Sequence, residues 1–178
     1  MIYMFLADGF EEVEALAPLD IMRRANIDVI TVGVTGEYIT GAHNITVKAD
    51  KSISEVNRED LDGVILPGGL GGTNNMDNSR EVKEIVQFAA DNNKLVCAIC
   101  AAPSILGKMG LLAGKEATCY PGFEDTFTGG KYIKQSVVKS GNFITSDGMG
   151  SAYKFGFAIT EAIAGAEVAK KIKEQIQY

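Results

Sequence analysis

The stretch Lys94-Leu-Val-Cys-Ala-Ile-Cys-Ala-Ala-Pro-Ser104 limits the folds open to this chain more than any other. It starts as an apolar run of strand length, then changes at Cys100 into small residues and Pro103. Ile105, Leu106, Met109 and Leu112 follow at helical spacing, and a proline is tolerated in a first helical turn, where its missing N–H costs nothing. The pattern predicts strand, sharp turn, helix, with a thiol at the bend. A cysteine so placed lies near unpaired backbone N–H groups and the positive end of a helix dipole, both of which favour the thiolate. It is the sulfur counterpart of a nucleophile elbow.

Other segments repeat the alternation. Apolar strands are predicted at 1–7, 27–34 and 61–66, with a short one at 116–119. Helices are predicted at 11–25, where Pro18 implies a kink or late restart, and from Asn78-Ser79 to about 91. A last helix starts at Ser151, which can cap it, and is interrupted by Gly165. Gly36, Gly41 and Ile45-Thr-Val47 suggest a small hairpin on the sheet edge, and Ser140-Gly141 joins a second hairpin of 132–139 with 142–145. Strands alternating with helices imply an α/β fold, a mostly parallel sheet covered on both faces. Ligands then bind beyond the carboxyl ends of the strands, where the loops 8–14, 68–72 and 99–103 meet. The 178 residues suit a single domain spanning 1–178, with no internal repeat or linker.

Charge and cysteine usage exclude several functions. A net charge of −6 with no basic run argues against nucleic acid or an anionic membrane as partner. No apolar run reaches bilayer length, and the N-terminus lacks a basic region before its apolar residues, so it reads as a core strand and not as a signal peptide. Three cysteines do not indicate a disulfide framework, and a reducing, cytoplasmic setting is the default.

Of the three cysteines, Cys100 holds the turn position. Cys97 and Cys100 have C-x-x-C spacing, but a redox dithiol places both at a helix start, and Cys97 falls inside the strand run. Cys97 and Cys119 read as core. In Glu11-Glu12-Val13-Glu14, the first two residues read as a solvated acidic first helical turn. Glu14 lies among apolar residues at the mouth where the loops converge. A carboxyl group half-buried there can donate a hydrogen bond to a thiolate or serve as general acid or base; a solvated residue is the alternative. The glycines of 68–72 match neither a dinucleotide fingerprint nor a P-loop. They read as a tight turn presenting the Gly69 N–H, which with the N–H of Ala101 would make an oxyanion hole. The single histidine, His43, lies in the first hairpin and excludes a multi-His metal site; no metal is expected. Tyr120, Tyr153 and Arg24 are further pocket candidates without a local signal.

Ala98-Ile-Cys-Ala-Ala-Pro103, Leu66-Pro-Gly-Gly69, Gly9-Phe-Glu-Glu-Val-Glu14 and Thr145-Ser-Asp-Gly-Met-Gly150 together resemble the DJ-one/ThiJ/PfpI superfamily. The resemblance runs from the first strand to about Val168 and is strongest to the DJ-one branch. It implies a flavodoxin-like three-layer α/β sandwich and a homodimer. Cys100 would match the family's reactive elbow cysteine, which often oxidises to sulfinate, and Glu14 the carboxyl that hydrogen-bonds it. Gly69 and Ala101 would match the oxyanion amides. Two positions depart from the pattern: Tyr120 stands where many relatives carry a histidine, and His43 where the branch tends to carry an arginine near the dimer interface. Arg24 matches a second family arginine. Ala101 replaces the histidine that follows the cysteine in the peptidase-like branch, which argues against proteolysis.

The resemblance implies cofactor-free glyoxalase or deglycase activity. The expectation is a thiol enzyme acting on small α-oxoaldehydes through a Cys100 hemithioacetal, with no cofactor. The alternatives are a redox sensor or stress-response and chaperone protein without turnover, and a flavodoxin-like nucleotide binder.

Overall fold

A computed structural model describes all residues, 1–178. In chain order the elements are β1 (Ile2–Leu6), α1 (Glu12–Arg24), β2 (Val29–Gly33), β3 (Tyr38–Thr40), β4 (Thr46–Lys48), β5 (Lys51–Ser52), β6 (Gly63–Leu66), α2 (Leu70–Asn78), α3 (Arg80–Asp91) and β7 (Leu95–Ile99). There follow α4 (Pro103–Lys108), β8 (Glu116–Ala117), β9 (Lys131–Tyr132), β10 (Val137–Ser140), β11 (Phe143–Ser146), α5 (Ala152–Ala164) and α6 (Ala166–Gln175). Seven strands form the main sheet in the order β10-β11-β7-β6-β1-β2-β5. All neighbours run parallel except β10, which returns antiparallel to β11.

The central strands β1, β6 and β7 are buried nearly throughout, because helices cover both faces of a parallel sheet. One face carries Tyr3, Phe5, Leu66 and Val96 against Val82, Ile85 and Val86 of α3 and Ile105 of α4. The other carries Met4, Leu6, Ile65 and Cys97 against Leu19 and Met22 of α1 and Phe155 and Ile159 of α5. This is the three-layer α/β sandwich that the alternation implies. No helix is long and apolar enough to cross a membrane.

Five local expectations are corrected. The helix α1 runs through Pro18 without a break. The glycine-rich 68–72 segment is not simply a turn: from Leu70 onward it is the helix α2. Its glycines serve packing, since a Cβ on Gly72 would stand 2.7 Å from Phe10 Cα. Helix α3 then starts afresh after Ser79, whose Oγ accepts from Val82 N–H at 3.2 Å. The small hairpin β3–β4 forms a separate two-stranded sheet, and the main sheet ends instead on β5. The expected strand 132–139 is divided, its first part pairing with β8 and its second with β11. The Ser151 hydroxyl does not cap α5; it bonds to the Gly148 carbonyl at 2.9 Å and to the Asp147 carboxylate.

Candidate active site

Cys100 follows β7 in a left-handed conformation, φ +65°, which costs a non-glycine residue energy and persists only where neighbours enforce it. Two neighbours do so. The Cys100 N–H donates to Ser146 O at 2.9 Å, and its carbonyl accepts from Tyr120 N–H at 2.8 Å. Ser146 closes the adjacent strand β11, so the sheet itself fastens one side of the bend. The expected strand-turn-helix is present, although α4 is only one and a half turns long.

The sulfur faces a polar cluster drawn from three loops. Glu14, on the first turn of α1, is 1% exposed. Its Oε2 accepts from Gly68 N–H at 2.9 Å and faces Cys100 across that glycine. The backbone N–H groups of Gly69 and Ala101 lie on the sulfur's side of the bend and favour its charged form. Gly69 caps α2 at φ +82°, and a Cβ there would lie 2.4 Å from Gly9 O and 2.5 Å from Glu11 N. Only a glycine fits both the conformation and the space. The structure thus gathers Cys100, Glu14, Gly69 and Ala101 at one point beyond the carboxyl ends of β1, β6 and β7.

Burial pushes the Glu14 carboxyl up to about 7, against the pull of its bonds to Cys100 and Gly68. Burial likewise pushes the Cys100 thiol up to about 12, helped by the charge of ionised Glu14, while the two amides oppose the rise. This corrects the expectation that the turn alone yields a thiolate. The two groups titrate as a pair. Moving the shared proton onto Glu14 removes the repulsion and turns its O–H toward the sulfur, so the thiolate is reached with Glu14 protonated.

The other candidates lie elsewhere. Arg24 is on the last turn of α1, ten residues or about 15 Å along the helix from Glu14, and pairs with Asp20 at 2.7 Å in solvent. It is not part of this site. His43 is exposed at the β3–β4 tip and bonds to Glu12. Glu12 is not solvated as expected but 4% exposed. Burial pushes it up, yet hydrogen bonds from His43 and nearby backbone amides outweigh this and hold it below the usual carboxylate range. The bond to Glu12 raises His43. Tyr120 touches the elbow through its backbone. Its half-exposed ring lies against Gly148 and borders a cleft of about 430 Å³ shared with Tyr132, Lys134, Asp147 and Met149. Tyr153 lies on an exposed apolar strip with Val13 and Ile45.

Cys97 is fully buried, and burial raises its thiol far up; burial, with the Glu124 charge, raises Cys119 to about 12. Glu11, Glu12 and His43 are the one set of metal-type donors gathered together, within 4.8 Å of one another, but Glu12 and His43 are bonded to each other. Sequence reasoning did not single out Gly68 or Ser146. Both act through backbone atoms, which leave no side-chain signature.

An open α/β sheet with a strained elbow cysteine, a buried carboxyl group and two converging amides defines a class of proteins built around one elbow thiol. Comparison with known proteins gives the family. The DJ-1/PfpI family model matches residues 1–162, and the chain belongs to that family. It is 38% identical over 172 residues to protein dj-1beta of Drosophila melanogaster, covering 95% of this chain and 92% of that protein. Over 149 residues it is 34% identical to a deglycase of Pyrococcus abyssi, covering 83% and 89%. A glutathione-independent glyoxalase of Caenorhabditis elegans is 30% identical over 159 residues, covering 88% and 84%. The solved structure of oxidized Toxoplasma gondii DJ-1 superposes with a TM-score of 0.95 at 34% identity, covering 99% of this chain and 97% of that one.

Proposed function

We propose that this chain is a cofactor-independent thiol enzyme acting on small α-oxoaldehydes, of the glyoxalase and deglycase kind. The observation that carries the reading is the convergence on Cys100 of two backbone amides and a carboxyl group whose proton leaves at about 7. A group titrating there can both take and return a proton under neutral conditions. The names of two relatives, a deglycase and a glutathione-independent glyoxalase, support the same class.

The Cys100 thiolate attacks the aldehyde carbon, forming a C–S bond and an oxyanion that the Gly69 and Ala101 N–H groups receive. Glu14, protonated when the thiolate forms, gives that proton to the oxyanion, which leaves the hemithioacetal and an ionised carboxylate. Ionised Glu14 takes the proton from the sulfur-bearing carbon and returns it to the neighbouring carbonyl carbon, through an enediol. The product is a 2-hydroxyacyl thioester. Water cleaves it to the hydroxy acid and the free thiol. One carbon is oxidised and its neighbour reduced within the same molecule, so the reaction needs no external electron acceptor and the reading calls for no cofactor.

The test is conversion of methylglyoxal to lactate. Cys100→Ser is expected to abolish it, and Glu14→Gln to lower kcat by roughly 10²–10⁴. Full turnover by Cys100→Ser overturns the mechanism.

A redox sensor is the second reading, favoured by the oxidized state of the similar Toxoplasma structure. The same amides and Glu14 would stabilise a Cys100 sulfinate. Selective oxidation of Cys100 by mild peroxide, seen by mass spectrometry without any aldehyde turnover, would replace the first reading with this one. A reducing, cytoplasmic setting suits both. Assembly as a homodimer, which the resemblance implies, belongs to the proposal; two copies would cover the exposed strip of Val13, Ile45 and Tyr153. Light scattering checks it.

A further inference from the structure

Between the Cys100 site and the outer hairpin lies a clamp that the mechanism above does not use. Residues 8–11 form the turn after β1. On its inner side, Glu11 N–H donates to Gly68 O at 3.0 Å, and Asn75 Nδ2 donates to Asp8 O at 2.9 Å. On its outer side the β3–β4 hairpin holds it. Gly9 N–H donates to Thr40 O, Ala42 N–H to Phe10 O and Thr40 N–H to Asp8 Oδ1, each at 2.8 Å. Glu12 completes this outer grip. Its Oε1 accepts from His43 N–H at 2.7 Å, and its Oε2 pairs with His43 Nδ1 at 2.8 Å. A Cβ on Gly41 would stand 2.3 Å from Glu12 Oε1, so the hairpin tip is packed directly on a buried carboxylate.

The geometry points to Glu12 and His43 as positioning residues for Cys100: the pair holds the hairpin on residues 8–11, and these hold the Gly69 amide and Glu14 at the sulfur. Neither side chain is hydrogen-bonded to Cys100. The inference rests on Cys100 as the working thiol, and on no particular substrate.

Because one half of the clamp is a histidine, its charge follows pH in the neutral range. The charges acting on the imidazole come from Glu12, in the first turn of α1, and Glu11, which caps that helix. Below the His43 titration the bond is charge-assisted; above it the ring is neutral and the grip weaker. The amides that draw the thiol toward its thiolate then lose part of their anchorage.

The test is the rate of Cys100 alkylation by iodoacetamide, read by mass spectrometry, which needs no substrate. Glu12→Ala is expected to slow it about tenfold or more, as displacement of a supporting group does, with Cys97 still unmodified as a sign of an intact fold. His43→Arg keeps a donor for Glu12 but fixes the charge. The ratio of its rate to that of the unaltered protein cancels the pH dependence that does not pass through the clamp. That ratio is expected to stay near unity below the His43 titration and to rise several-fold above it; a purely structural contact would leave it flat. Equal or faster alkylation of an intact Glu12→Ala protein, or a flat ratio, overturns the proposal. Should Glu12→Ala expose Cys97, the ratio decides alone. Aldehyde turnover does not enter the readout, so an error in the proposed reaction would leave this result standing.

Discussion

Glu14 and Cys100 approach so closely that the residue between them has no room for a side chain. A Cβ on Gly68 would fall 2.4 Å from Glu14 Oε2 and 2.6 Å from Cys100 Cβ. The carboxyl-thiol pair and the bare glycine are therefore one structural unit, and the same glycine supplies the N–H that fixes Glu14.

Gly68→Ala is expected to overpack this unit. Inserting a carbon into such a space costs about 1–3 kcal/mol, readable as a lower midpoint in urea unfolding. Alkylation of Cys100 should change in the same variant, because the added methyl separates the sulfur from Glu14. An unchanged midpoint together with unchanged alkylation would show that the contact relaxes freely.

Stability should depend on pH through Glu14. Its folded-state pKa is raised from an ordinary 4.5 to about 7, so between these values the folded protein binds more protons than the unfolded chain. The contribution is full below about 4.5 and is lost as pH rises through 7, by about 3 kcal/mol at most. Urea unfolding across that range should show the decline, and Glu14→Gln should remove it.

The three thiols should differ sharply in the native protein. Cys97 and Cys119 are fully buried, whereas Cys100 is partly open. Peptide mapping after brief alkylation is expected to find Cys100 alone modified. After denaturation all three should react. Modification of Cys119 at a comparable native rate would mean that the neighbouring cleft admits the reagent.

Arg24→Ala is expected to be nearly silent. The Arg24–Asp20 pair is exposed, one helical turn apart on α1, and such pairs contribute roughly 0.3–0.5 kcal/mol. Methylglyoxal turnover by this variant should match that of the unaltered protein. A large loss of turnover would place Arg24 at a site formed by a second copy.

The elbow was legible because its signal is local: a strand-length apolar run, a cysteine, small residues and a proline in one continuous stretch. Glu14 was half legible: its neighbours Val13, Ala15, Leu16 and Ala17 pointed to a half-buried carboxyl at a loop mouth, but a solvated residue fitted the spacing as well. Helix α2 was hidden because Leu70-Gly-Gly-Thr-Asn-Asn carries the composition of a turn. Contact with the turn after β1 overrides that propensity, and only the fold reveals that Gly72 must lie against Phe10. Glu12 was misread for a related reason. An acidic first turn is ordinarily solvated, and nothing in residues 11–14 announces that a hairpin thirty residues later closes over one of the three carboxylates. The raised thiol escaped the sequence as well, since the turn's favourable dipoles are visible in a motif and desolvation is not.

The fastening of Cys100 also has a temporal side. Its two backbone anchors, Tyr120 and Ser146, both lie downstream in the chain. A nascent polypeptide presents this cysteine long before the ribosome has made the strand that secures its bend. Until then the residue is an ordinary peptide thiol on a loose strand end, without its carboxyl partner locked in place. The surroundings of the sulfur are thus completed only after residues 143–146 have been made and β11 docks beside β7.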